Sequence, residues 1–216
     1  MIPVSARARI MVQPERPAAP SYAIAPLTLL ERTRLEAELY RLGARPVSSE
    51  DVDAELRRAA EHCLDAEDAQ SVVAALDRYQ QGLAAHAEAR QRAIDAAIRE
   101  HGSPEGAVEP PWPEDWEQVL LVVDRWRDTA LRLWQPYADA VAGQQYYLAV
   151  YAQLLVRYGV RGWEGLEAPC VRRGDMLTEQ SYQAIPMLDR LWLAGEVARL
   201  TRLDEGTAGN SGSPSS

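Results

Sequence analysis

From Thr28 onward, apolar residues recur every three or four positions, and the breaks between runs carry specific capping chemistry. Thr28-Leu29-Leu30-Glu31 reads as a capping box, in which Thr28 accepts from the third helical amide while Glu31 reaches back to the cap. Leu29, Leu35, Leu39 and Leu42 form the stripe of this first helix, and Gly43 supplies a left-handed stop. A second helix starts after Pro46 with Ser48 as cap and carries Val52, Leu56, Ala59 and Cys63. Asp65 caps a third. Between Ala66 and His101 there is no proline and a single glycine, Gly82, so 36 residues can run as one unbroken or gently bent helix about 54 Å long. The alternative is a break at Gly82.

Gly102 to Pro113 is a Pro/Gly loop and the candidate hinge between two helical sections, 27–101 and 114–203. Glu114 to Trp134 is amphipathic through Trp116, Val119, Val123 and Trp126. Pro136 opens a helix that carries Leu148, Tyr151 and Leu155 to Gly159. Residues 160–174 read as irregular with one short strand. Thr178 caps a short helix, and Pro186 to Leu203 forms the last, with Met187, Leu191, Trp192, Val197 and Leu200 inward. Ahead of all this, residues 1–26 hold five prolines and read as an extended arm with a short strand at Ile10–Val12. Residues 204–216 are polar and small and read as a disordered tail. The fold expected is therefore all-α: a helical bundle with one long helix, an extended N-terminal arm and a disordered C-terminal tail. Its expected core is Leu35, Leu39, Leu56, Leu76, Leu120, Val123, Trp126, Leu148, Tyr151, Leu155, Leu191 and Trp192.

Composition narrows the function classes. The 216 residues carry a net charge of −9, which argues against a nucleic-acid backbone or an anionic membrane as main partner. All 23 basic residues are Arg, Phe is absent and Asn occurs once, at Asn210. Lys, Phe and Asn share AT-rich codons, so a GC-rich genome accounts for the arginine excess. No segment approaches the ~20 apolar residues of a membrane span, and residues 1–20 lack the apolar stretch of a signal peptide. A cytoplasmic protein with two reduced thiols, Cys63 and Cys170, is expected.

No catalytic or cofactor set assembles from spacing. His62-Cys63-Leu64-Asp65 lacks the second ligand pair of a structural zinc site, and His86 and His101 lie too far along a helix to join it. The acidic clusters fall in first helical turns or pair with arginine, as Asp53 does with Arg57. A phosphate-binding G-x-x-x-x-G-K loop is impossible without Lys, and no G-x-S-x-G elbow occurs. No metal and no cofactor are expected. The aromatic residues are more informative: five of six Trp lie between positions 112 and 163, Trp112 sits in the Pro-rich loop, and Tyr146 and Tyr147 are adjacent. Most fit helical spacing as core, but the excess fits a protein-binding surface.

Tyr158-Gly-Val-Arg-Gly-Trp-Glu-Gly-Leu-Glu-Ala-Pro169, followed by Arg172-Arg173-Gly174 and Leu177-Thr-Glu-Gln180, resembles the C-terminal half of tail assembly chaperones of tailed bacteriophages from GC-rich hosts. The end, Leu203-Asp-Glu-Gly with Asn210-Ser-Gly-Ser-Pro214, and the opening Ala25-Pro-Leu-Thr-Leu-Leu-Glu-Arg32 are similar to such proteins too. The likeness covers roughly two-thirds of the chain and is weakest over 60–135. It implies a non-enzymatic role in the host cytoplasm. Such chaperones coat the helical tape measure protein, bring tail tube subunits to it and leave before the virion is finished; many are also made in a longer, frameshifted form. The candidate partner contacts are Trp112, Tyr146, Tyr147, Arg161, Trp163 and Trp192. Two other classes stand beside it: a structural tail-completion or connector protein whose arm orders on a neighbour, and an enzyme or regulator with a site in a helical bundle.

Overall fold

The computed structural model describes residues 9–209, with side chains through Arg202. Among these residues are seven helices: α1 (Leu29–Arg41), α2 (Ser49–Cys63), α3 (Ala66–His101), α4 (Trp116–Leu133), α5 (Gln135–Gly159), α6 (Glu179–Ala184) and α7 (Met187–Gly209). The strands are β1 (Ile10–Val12), β2 (Ser21–Ile24), β3 (Val160–Glu164), β4 (Arg172–Arg173) and β5 (Met176–Leu177). The chain is mostly helical but not purely all-α, because β1-β2-β3 and β4-β5 form two small antiparallel sheets. It divides into two compact units. Unit 2 is the continuous segment 47–142, and unit 1 is built from residues 1–46 together with 143–216. The chain therefore leaves unit 1 after Pro46 and re-enters it within α5, whereas the expected hinge at 102–113 lies inside unit 2.

Unit 2 is organised on α3, which is one continuous helix from its Asp65 cap to Gly102 in the left-handed region at φ 72°. Gly82 does not break it. A Cβ there would sit 2.4 Å from the Trp116 ring, so the missing side chain is a notch that admits the indole of α4. In the same unit Leu56, Ala59, Leu76, Val123, Trp126 and Ala130 belong to one buried cluster. The Trp126 indole also donates to the Leu56 carbonyl, 3.1 Å away, so the buried N–H is satisfied.

In unit 1 the strand expected at Ile10–Val12 is present as β1, and residues 10–24 form a hairpin. β2 pairs antiparallel with β1 on one side and with β3 on the other, placing Tyr22 opposite Trp163. Alternation along β2 turns Tyr22 and Ile24 into the core, where neither retains exposure. Two buried carboxylates fasten this sheet. Asp189, in the first turn of α7 and 1% exposed, accepts two hydrogen bonds from the Arg16 guanidinium (2.5 and 2.8 Å) and one from the Tyr22 hydroxyl (2.6 Å). Glu31 completes the Thr28 capping box and also pairs with Arg161 of β3 at 2.8 Å. Leu35 and Leu39 of α1, Leu154 and Val156 of α5, and Leu193 and Val197 of α7 fill the core beneath.

Several expected burials fall differently. Leu148 and Leu191 are 55% and 63% exposed, and Leu120, Tyr151 and Trp192 are half-buried. Leu29, Leu42 and Met187 also face out. The inward row of α7 is Asp189, Leu193, Val197 and Leu200, and Leu191, two positions from Leu193, points about 200° away from it. The expected disordered tail is corrected in part: α7 continues through Gly209, and positions 210–216 lie outside the described residues, as do 1–8 of the arm.

Two substitutions test this framework. Gly82→Ala improves intrinsic helix propensity by about 1 kcal/mol but drives a methyl into the Trp116 ring, an overpacking that costs roughly 1–3 kcal/mol. Urea unfolding is expected to show a net loss of stability. Tyr22→Phe removes a donor to a buried carboxylate and is expected to cost roughly 1–3 kcal/mol at neutral pH. Burial first, and then the hydrogen bond to Asp189, raises the Tyr22 pKa well above its ordinary value of 10.0. The folded state thus holds that proton more tightly than the unfolded chain, and the stabilisation is complete below pH 10 and drains away above it. Unfolding measured across that range should show the gap between wild type and Tyr22→Phe narrowing as pH rises past 10.

Candidate partner-binding surface

The outward face of unit 1 carries an apolar groove between α5 and α7, closed at one end by α6. Leu148, Tyr151 and Leu155 of α5, Tyr182 of α6, and Leu191 and Ala194 of α7 line a space of about 550 Å³. A second hollow of about 370 Å³ lies between α1, α5 and α7, lined by Leu35, Leu39, Tyr147 and Thr201 among others. The two share Tyr151, Leu155 and Ala198 and so meet along the α5–α7 seam. The seam forms because both helices are apolar on more than one face. One face of each enters the core, which leaves the other unpartnered. Met187 and Leu188, at 74% and 75% exposure, extend the apolar surface at the start of α7.

The groove has a firm base. Gly159 lets α7 cross closely at the end of α5, since a Cβ there would stand 2.4 Å from Val197. Arg190 stacks over the Tyr182 ring at 4.7 Å and donates to the Ile185 and Gln183 carbonyls at 2.7 Å each, fixing α6 against the start of α7. The charged side chains lining the seam are Arg190, Arg32 and Arg202, with Glu36 as the lone carboxylate.

The six residues singled out from sequence occupy different places. Tyr147 lines the smaller hollow and stacks on Tyr151 with centroids 5.8 Å apart. Tyr146 is half-exposed and donates to the Leu42 carbonyl at 2.9 Å, tying α5 to the end of α1. Arg161 is committed to Glu31. Trp163 is half-buried on β3, its indole donating to the Ala168 carbonyl at 2.8 Å. Trp192 packs against the core of unit 1 from the side of α7 away from the groove. Trp112 belongs to unit 2, where it stacks flat on His86 at 3.6 Å and on Trp116 at 4.5 Å. His86 Nε2 donates to the Pro110 carbonyl at 3.0 Å, and Arg90 pairs with Glu109, so the Pro-rich loop is fastened to α3.

Sequence reading missed Leu148, Leu191 and Met187 as surface residues because it assigned them to the core. The signal that distinguishes them is the apolar excess of α7, where the run from Leu191 to Ala194 and the later Val197, Ala198 and Leu200 are more than one buried stripe can hold. Cys63 and Cys170 are free thiols, and burial raises the Cys170 pKa, which favours its protonated form. His62 stacks on Trp134. Among the described residues no group of three His, Cys, Asp or Glu converges on a point that could hold a metal. No helix among them is long and apolar enough to cross a membrane.

Compared with known proteins, the chain matches no family model, no curated protein and no solved structure.

The two faces of α7 give a direct contrast. Leu193→Ala removes a fully buried side chain and is expected to cost roughly 2–5 kcal/mol. Leu191→Ala, on the groove rim, should change stability by no more than about 0.5 kcal/mol. Chemical denaturation of the two variants checks which face is core.

Proposed function

We propose that this chain is a non-enzymatic tail assembly chaperone that holds an amphipathic helical segment of a tape measure protein in the host cytoplasm and brings tail tube subunits to it. The observation that carries the reading is the apolar groove along α5 and α7, ringed by the exposed Leu148, Met187 and Leu191. A contiguous exposed apolar patch costs solubility, and a groove walled by two helices has the shape that receives the apolar face of a third. The resemblance adds a second strand of support. Its motif residues, Arg161 to Gly165 and Leu177 to Gln180, belong to unit 1, the unit that holds the groove. The net charge of −9 serves as solubiliser, since client-loaded complexes repel one another.

The structural tail-component reading drew on an arm that would order against a neighbour. Ile10–Val12 and Ser21–Ile24 are paired within unit 1, which gives that reading no support from this part of the arm.

Co-expression with a phage tape measure protein tests the proposal. Wild type should keep the client soluble and co-purify with it, and Leu191→Glu, which puts a charge on the groove rim without touching the core, should lose at least tenfold of the recovered complex. A client equally insoluble with and without the chain, with no complex at low salt, would overturn the reading.

A further inference from the structure

Resting on that reading, we infer that the groove's occupant is an α-helix of about four turns with a small-residue apolar face and acidic flanks. Length comes first. The outward row of α7 that lines the two hollows runs from Met187 through Leu191, Gly195 and Ala198 to Arg202, a rise of about 22 Å at 1.5 Å per residue. A helix laid along the seam has that extent in contact.

Close approach comes from Gly195. Glycine is among the poorest formers of a helix interior, and this one has no duty within its own fold: an added Cβ would meet no atom within 4 Å. It stands exposed in the middle of the seam, beside Ala194 and Ala198. The gap it leaves opens to the outside, so its use is to let an incoming backbone settle against α7.

Charge names the flanks. The chain as a whole is at −9, yet the seam is lined by Arg32, Arg190 and Arg202 against Glu36 alone. The groove is a local basic strip on an acidic protein, and complementary carboxylates on the occupant would fix its register and speed its capture. The same arithmetic disfavours a second copy of this chain, which would bring arginine to arginine along α7 and −9 to −9 overall. The chain's own termini do not fit either. Residues 1–8 contain Arg7 and no carboxylate, and residues 210–216 contain no large apolar side chain.

The test uses the full chain and three fluorescein-labelled 18-residue peptides sharing one Leu/Ala face, flanked by Glu, by Gln or by Arg. Anisotropy titrations at low salt should rank them Glu over Gln over Arg, with at least a tenfold span in Kd that shrinks at 0.5 M salt. Gly195→Leu fills the gap while improving helix propensity, so it should melt no earlier than wild type and bind the Glu-flanked peptide at least tenfold more weakly. Equal or reversed ranking of the peptides, or undiminished binding by Gly195→Leu, overturns the inference. Co-expression separates it from the chaperone reading. A tape measure protein kept soluble by wild type and by Gly195→Leu alike retains the chaperone and rejects this occupant. Peptide ranking as expected with no effect on tape measure solubility retains the occupant and rejects that client.

Discussion

A buried carboxylate cannot stand without donors, and Asp189 draws its three from the N-terminal hairpin: two from Arg16 and one from Tyr22. Its position in the first turn of α7 adds the favourable end of that helix's dipole. Removing the hairpin would strand a charge in the core, so the start of α7 and the strand β2 are bound to one another. Much follows from that tie. β2 in turn orders β3, α7 is held in the rotation that buries Leu193 and Val197, and its opposite face is left outward beside α5. Glu31 repeats the device at the other side of the sheet, joining the start of α1 to Arg161.

The helices were legible in the sequence because their ends are local chemistry. Thr28, Ser48, Asp65 and Thr178 each cap where their side chains predict, and the long span from Ala66 to His101 is one helix. The sheet was legible only in part: the strand at Ile10–Val12 and a short strand within 160–174 are where the sequence places them, but the strand that joins them is not. Ser21–Ile24 shows only four residues among prolines, and its pairing with β3 reaches more than a hundred positions along the chain. A helix cap is written within four residues; a strand pairing across the chain is written nowhere in particular. Asp189 was equally silent, because a lone acid in a first turn looks like a dipole partner until a guanidinium and a phenol arrive from residues 16 and 22.

The groove illustrates a different failure of pattern reading. Periodicity identifies an apolar stripe, but α5 and α7 carry apolar residues on two faces, and nothing local says which face the core takes. Leu148 and Leu191 fit an inward stripe as well as Leu154 and Leu193 do. The decision is made by tertiary contacts, Gly159 against Val197 and Asp189 against the hairpin, that fix how each helix is turned. The aromatic residues that drew attention mostly serve as braces. Trp112 and His86 lock a proline loop, Trp163 sits in a sheet, and Arg161 answers a buried acid. The exposed apolar surface was hidden among residues that looked like interior.

The discontinuity of unit 1 has a consequence for the order in which the molecule comes into being on the ribosome. β1, β2 and α1 emerge before β3 and α7, so the hairpin of β1 and β2 lacks Trp163 beside it and Asp189 beneath it until they are synthesised. Unit 2 follows as an unbroken segment, 47–142, and can close its core on its own neighbours. Unit 1 then closes around a loop that long, a step that is slow because its entropy is spent before the contacts reward it. Only when α7 has left the exit tunnel do Tyr22 and Ile24 become covered and the seam with α5 acquire its second wall. A half-made chain therefore shows exposed strands but no groove, and the groove is completed as translation of α7 finishes.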